Sequence, residues 1–121
     1  MKLKSILIIF IPLMIFVLSC GTDYNYTINK KRLLKNTWEI NTYVDYNQNS
    51  TIEIRKAKYI FEESGTLIKI YENNDTVSSN WVLSGDGNYL TLGDNTFKVT
   101  ELTNRVMSLR YGDVEMFFIS L

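Results

Sequence analysis

From Trp38 to the C-terminus, apolar and polar positions alternate with a period of two. Trp38, Ile40, Thr42 and Val44 share one face of a first segment, with Glu39 and Asn41 on the other. Ala57, Tyr59 and Phe61 share a face of the next, opposite Lys58 and Glu62. Similar short segments cover residues 67–71, 77–83, 89–92, 97–102, 106–111 and 114–121. Successive strand side chains point to opposite faces, so this alternation predicts half-buried strands. The breaks between them are rich in Gly, Asn and Asp, as in Ser84-Gly85-Asp86-Gly87-Asn88 and Gly93-Asp94-Asn95. These residue types accept the positive φ angles of tight hairpins. One longer connection, residues 45–56, follows the first strand, and Thr51–Ile54 adds strand character there. Short connections force antiparallel neighbours, because parallel pairing needs a crossover of a dozen or more residues. The expected fold is therefore all-β, an eight-stranded antiparallel up-and-down small barrel whose closure removes both exposed edges. A two-sheet sandwich shares the same periodicity and competes with it. Ahead of the strands, Leu33 and Leu34 among Lys30, Lys31, Arg32 and Lys35 predict one or two helical turns over residues 28–35.

The start of the chain has a different pattern. Lys2 and Lys4 precede an apolar run of 13 residues, Ile6 to Leu18, interrupted only by Pro12, and Ser19-Cys20-Gly21 follows. A positive flank, a short apolar middle and small residues at a boundary are the layout of a signal peptide. A helix of that length spans roughly 20 Å, short of a bilayer core of roughly 30 Å. Leu18-Ser19-Cys20-Gly21 resembles the lipobox of bacterial lipoproteins, in which the cysteine becomes an acylated N-terminus. The resemblance implies a signal peptide at residues 1–19, a lipidated tether at 20–29 and a domain at 30–121. Acyl chains, at ~0.8 kcal/mol per buried CH₂, hold such a chain on a membrane without a span. Gly21 stands where an aspartate would signal inner-membrane retention, which implies an outer-membrane lipoprotein; the expectation is that it faces the periplasm.

Composition then narrows the chemistry. The 13 basic and 13 acidic side chains balance, and the pI is near 6.2, which argues against a nucleic-acid partner. Loss of Lys2 and Lys4 with the leader leaves 11 basic against 13 acidic groups. The chain has no histidine and one cysteine. That removes the commonest general base and zinc ligand, and it rules out Ser-His-Asp and Cys-His pairs. Asp45, Asn47 and Asn49 imitate the opening of a calcium loop. Ser50 and Lys56, however, stand where that loop needs glycine and a bidentate glutamate. Glu62 and Glu63 are adjacent on a strand and face opposite ways, so they make no acid–base pair. The expectation is a non-enzyme with no cofactor and no metal. Lys30, Lys31, Arg32 and Lys35 form either a solvated helix face or a patch for anionic head groups beside a lipid anchor.

Three stretches carry a wider resemblance. They are Leu34-Lys35-Asn36-Thr37-Trp38; Tyr59 and Phe61 with Ser64-Gly65-Thr66; and Trp81, Leu83, Ser84-Gly85-Asp86-Gly87 with Tyr89-Leu90 and Leu92. Together they resemble lipocalin-like domains, with Asn36 where the Gly-x-Trp pattern has glycine. With the lipobox, the chain looks like a small lipocalin-like lipoprotein of Gram-negative bacteria. The resemblance implies that Trp38 closes the barrel floor with an arginine stacked on it, Arg110 or Arg105. It also implies an interior facing a ligand, for which the candidates are Trp38, Ile40, Thr42, Tyr59, Phe61, Trp81 and Phe97. Two functions follow from this. One is a binding module for a small hydrophobic ligand at the open end. The other is an interaction or inhibitor-like module that contacts another envelope protein, with a core filled by its own side chains.

Overall fold

The computed structural model describes residues 24–52 and 55–121, with the side chains of residues 50 and 52 left out. The expected signal peptide and the expected lipidation site, Cys20, lie outside the described residues. A helix, α1, covers residues 24–35. The strands are β1 (Thr37–Asp45), β2 (Ser50–Ile52), β3 (Ala57–Phe61), β4 (Thr66–Tyr71), β5 (Thr76–Leu83), β6 (Tyr89–Leu92), β7 (Asn95–Leu102), β8 (Val106–Tyr111) and β9 (Val114–Ser120). Strands β3 to β9 pair in sequence order, β1 pairs with β3, and β1 also pairs with β9. All pairs are antiparallel, so eight strands close into an up-and-down barrel and the sandwich alternative falls away. The short β2 adds to the far end of β1, where Tyr43–Asp45 pair with it. Strand β1 meets β3 only over Thr37–Glu39. No helix among the described residues is long and apolar enough to cross a membrane.

One end of the barrel is sealed. It gathers α1, the start of β1 and the turns after β3, β5 and β7. Trp38, Leu33, Leu67, Leu90, Met107, Leu109 and Phe118 are fully buried, and Ile40, Phe61, Trp81, Leu83, Leu92 and Leu102 pack with them. Phe61 and Trp81 meet edge to face with ring centroids 5.6 Å apart, and the Trp81 indole N–H donates to the carbonyl of Glu62 at 2.8 Å. That bond ties the β3–β4 turn down over the core.

Helix α1 starts earlier than the sequence predicts, so residues 24–29 are helical rather than a free tether. The polar residues that suggested a tether fasten the helix instead. Asn25 and Asn29, one turn apart, donate from their side-chain amides to the carbonyls of Asp86 (2.6 Å) and Gly87 (2.9 Å). Arg32 donates to the carbonyl of Leu102 at 2.8 Å, and Leu33 inserts into the floor. Gly87 has φ +76°, and a Cβ there would come within 3.2 Å of both the Asn25 carbonyl and the Asn29 amide nitrogen. The close approach of helix and hairpin therefore needs a glycine.

Two bulges redirect side chains. The β1–β9 register shifts between Ile40 and Thr42, and the β7–β8 register shifts between Val99 and Glu101. An extra residue in one strand reverses the inward–outward alternation beyond it. Ile40 therefore faces inward opposite Phe118. Past Asn41, Thr42 and Val44 face outward, and Tyr43 points into the barrel opposite Met116. The expectation that Thr42 lines the interior is corrected on this ground.

Candidate functional site

On the barrel strands other than β3, burial along the inward-facing positions falls from the sealed end toward the opposite end, and this gradient locates the less covered end. Strand β3 stays buried through Ala57, 4% exposed. On β5, Leu83 and Trp81 are each 6% exposed, Ser79 is half-buried and Val77 is 47% exposed. On β8, Leu109 is fully buried, whereas Tyr111 is 54% exposed. On β4, Leu67 is fully buried, and Lys69 and Tyr71 are half-buried. The same inner face carries half-buried Tyr43, Phe97, Val99 and Met116. The molecule is thus a barrel filled over its lower part, with an aromatic mouth above the filling.

The rings at the mouth are held by the walls and by one another. Phe97 and Tyr111 have centroids 5.6 Å apart, and Tyr59 meets Phe118 edge to face at 4.9 Å where the mouth joins the core. Burial pushes the Tyr59 phenol up to about 12, with the neighbouring Tyr71 adding to the effect, so it remains a neutral donor. Lys69 is the direct β4 partner of Tyr59, and its ammonium lies 5.1 Å from the Tyr59 ring centroid. Loss of water around Lys69 holds its pKa below the ordinary lysine value. At the rim, the Arg55 guanidinium lies 4.1 Å from the Tyr71 ring centroid and pairs with Asp75 at 3.5 Å.

Of the sequence-predicted candidates, Trp38, Ile40, Phe61 and Trp81 belong to the filled floor. Tyr59 and Phe97 border the mouth, and Thr42 lies on the outer wall. The proposed Trp38–Arg110 stack does not form. Arg110 follows inward-facing Leu109, so it projects outward near the mouth, where its guanidinium lies 4.7 Å from the Tyr46 ring centroid and its Nε donates to the Gly112 carbonyl. Trp38 is at the other end, fully buried, and its indole N–H has no hydrogen-bond partner. Arg105, the other candidate, is exposed in the β7–β8 turn.

The outer wall beside Arg110 carries a polar cluster. Glu115 accepts hydrogen bonds from the hydroxyls of Tyr46 and Thr100, and Thr100 also bonds Ser108. Partial burial works to raise the Glu115 pKa. The hydroxyls of Thr100, Tyr46 and Ser108, with the Arg110 charge, outweigh it and hold the carboxyl below its ordinary value. Among the described residues, no group of three His, Cys, Asp or Glu side chains is placed to hold a metal ion.

Sequence reasoning missed Tyr43, Lys69, Tyr71 and Tyr111 as mouth residues. Lys69 and Tyr71 share parity with Leu67, and Tyr111 shares parity with Leu109, so strict alternation was a usable signal for three of them. Tyr43 depends on the bulge and had no such signal.

No protein-family model matches the chain, and no curated protein does. Solved structures that resemble it include two from Bacteroides. A lipocalin-like protein from Bacteroides uniformis ATCC 8492 superposes with a TM-score of 0.60 at 16% identity, covering 74% of this chain and 99% of that one. An uncharacterized protein from Bacteroides eggerthii DSM 20697 gives a TM-score of 0.57 at 18% identity, covering 71% and 98%. At this level of identity the likeness speaks to architecture alone, and the architecture is a lipocalin-like barrel.

Proposed function

We propose that this chain is a non-catalytic binding module, anchored by acyl groups on Cys20 to the periplasmic face of a bacterial outer membrane, that takes a small apolar molecule in its barrel mouth. One observation carries the binding half of this reading: inward-facing side chains pass from complete burial at the floor to half-exposed rings at the mouth. Exposed aromatic surface costs free energy in water, and a concave apolar site with a few polar groups is the usual form of a small-molecule site. The lipobox resemblance at Leu18–Gly21 supports the anchoring half. Nothing in the charge balance favours a nucleic-acid partner.

The test uses the full chain in nanodiscs of zwitterionic lipid, titrated with naphthalene-2-methanol and followed by amide NMR shifts. The expected result is saturable shifts at Val77, Ser79 and Phe97, lost in Ser79→Trp, which fills the mouth from β5, and weakened in Phe97→Ala. Shifts that are absent, or that Ser79→Trp leaves intact, overturn the reading. The second reading, an envelope protein–protein module, is favoured by the outer wall. A groove of about 490 Å³ there runs beside Thr42, Phe117 and Ile119, and Ile119 is 39% exposed.

A further inference from the structure

Lys69 is out of keeping with the face it occupies. The inward-facing strand positions can be followed from the ladders through both bulges, and among the described residues only two of them carry charge, Asp45 and Lys69. Asp45 closes the last ladder pair of β1 at the rim, and its carboxylate accepts the backbone N–H of Asn47 at 3.0 Å within its own turn. Lys69 stands deeper, between fully buried Leu67 and half-buried Tyr71. Its cross-strand partners are Tyr59 on β3 and Val77 on β5. The ion pair recorded among the described residues joins Arg55 to Asp75, and Lys69 takes part in none.

An ammonium on an inner wall loses water on one side and normally gains a carboxylate in exchange. Here it gains only the face of Tyr59, a contact worth a fraction of a salt bridge in the same setting. The four methylenes of Lys69 could instead have carried the charge outward to bulk water, as long basic side chains generally do. The ring contact holds the charge at the foot of the mouth, within reach of whatever enters.

We infer that the mouth takes a small organic anion, an apolar or aromatic body bearing one carboxylate, with the carboxylate on the Lys69 ammonium and the body against Phe97, Tyr111 and Tyr71. This rests on the mouth being a binding site, as proposed above, and adds the sign of the ligand's charge. The aromatic rings supply apolar contact that does not distinguish charge. Lys69 supplies the distinction, because a neutral ligand would leave its charge unpaired in a partly desolvated place.

The probe pair is naphthalene-2-carboxylate and its uncharged counterpart naphthalene-2-methanol. Each is titrated at pH 7 into the full chain in zwitterionic nanodiscs, with empty nanodiscs subtracted. The carboxylate is expected to bind about tenfold more tightly, equivalent to ~1.4 kcal/mol. Lys69→Met keeps the length of the side chain and removes the charge. It should erase that preference by weakening the carboxylate alone, and Lys69→Arg should keep most of it. Thermal melts confirm that the variants are folded, and Lys69→Gln replaces Lys69→Met if the latter is not. Equal affinity for the two probes, or a preference that survives Lys69→Met, overturns the inference and leaves the mouth as a binding site. Failure of both probes to bind overturns the mouth reading and this inference together.

Discussion

Trp38 is held by packing alone. It is fully buried, and its indole N–H donates to nothing, so the cost of that orphaned donor, about 1–3 kcal/mol, is offset by the apolar surface the ring removes from water. Trp38→Ala is expected to destabilise the domain by about 3–5 kcal/mol in urea unfolding. Trp38→Phe should cost much less, because it removes the unsatisfied donor along with part of the ring. Arg110→Ala is expected to stay within about 1 kcal/mol, since it loses an exposed ring contact, one hydrogen bond to Gly112 and a solvent-screened attraction to Glu115. A loss comparable to that of Trp38→Ala would argue for coupling between Arg110 and the floor.

Glu115 gives the residue scale its pH dependence. Its folded pKa lies below the ordinary 4.5, so the stability it contributes is fully present above that value and is lost as pH falls through the folded pKa. Asp86 acts in the same direction, its carboxylate taking the Ser84 hydroxyl and the Asn88 N–H. Melting temperature should therefore fall as pH drops below about 4.5, and Glu115→Gln should flatten only part of that slope. A slope identical in the variant would mean that the Thr100–Tyr46–Ser108 hydroxyls do not favour the charged form.

Among the elements, α1 and the β5–β6 hairpin act as one fastening. Leu33→Ala is expected to cost about 2–5 kcal/mol and to speed amide exchange at the floor. Gly87→Ala and Gly93→Ala form an informative pair. Both glycines have positive φ, but a Cβ at Gly93 meets open space, whereas one at Gly87 meets the backbone of Asn25 and the amide of Asn29. The excess loss in Gly87→Ala, read by thermal unfolding, measures how tightly the helix is pressed onto the hairpin. Equal losses would show that the hairpin can move aside without cost.

The elements also show what the sequence made legible. Alternation with Gly- and Asn-rich breaks was enough to place the eight barrel strands, because a strand with one buried face must alternate. The floor was legible for the same reason, through Trp38, Phe61 and Trp81. The side on which Thr42 and Tyr43 lie was not, because a bulge is a backbone event and Asn41 has no side-chain feature that announces one. The partner of Arg110 was not legible either, since Tyr46 reaches it from a different loop. The polar residues of α1 were misleading on their own. Asn25 and Asn29 look like a tether until the hairpin carbonyls they meet are known.

For the whole molecule, closure through β1 and β9 is the property that the other contacts depend on. Strand β9 pairs with β1 from Trp38 to Asp45 and with β8 along its length, and the Leu121 N–H donates to the Thr37 carbonyl at 2.9 Å. Removal of residues 114–121 would bare one edge on each of β1 and β8 and uncover Met107 and Trp38. The truncated chain is expected to self-associate rather than to persist as an open monomer, as sedimentation velocity can show. A soluble monomer with native-like circular dichroism would contradict the dependence on closure.

The seating of α1 on the floor also sets an orientation. Only residues 21–23 separate Cys20 from the helix, a reach of at most about 14 Å from Cys20 to Tyr24 at ~3.6 Å per residue. If the chain is fastened through that cysteine, the plugged base lies against the bilayer, with Lys30, Lys31 and Lys35 close to the phosphate layer. The opening then looks outward into the aqueous compartment. If the mouth takes the proposed ligand, that ligand would be exchanged with water or with a soluble carrier, and not drawn sideways out of the lipid.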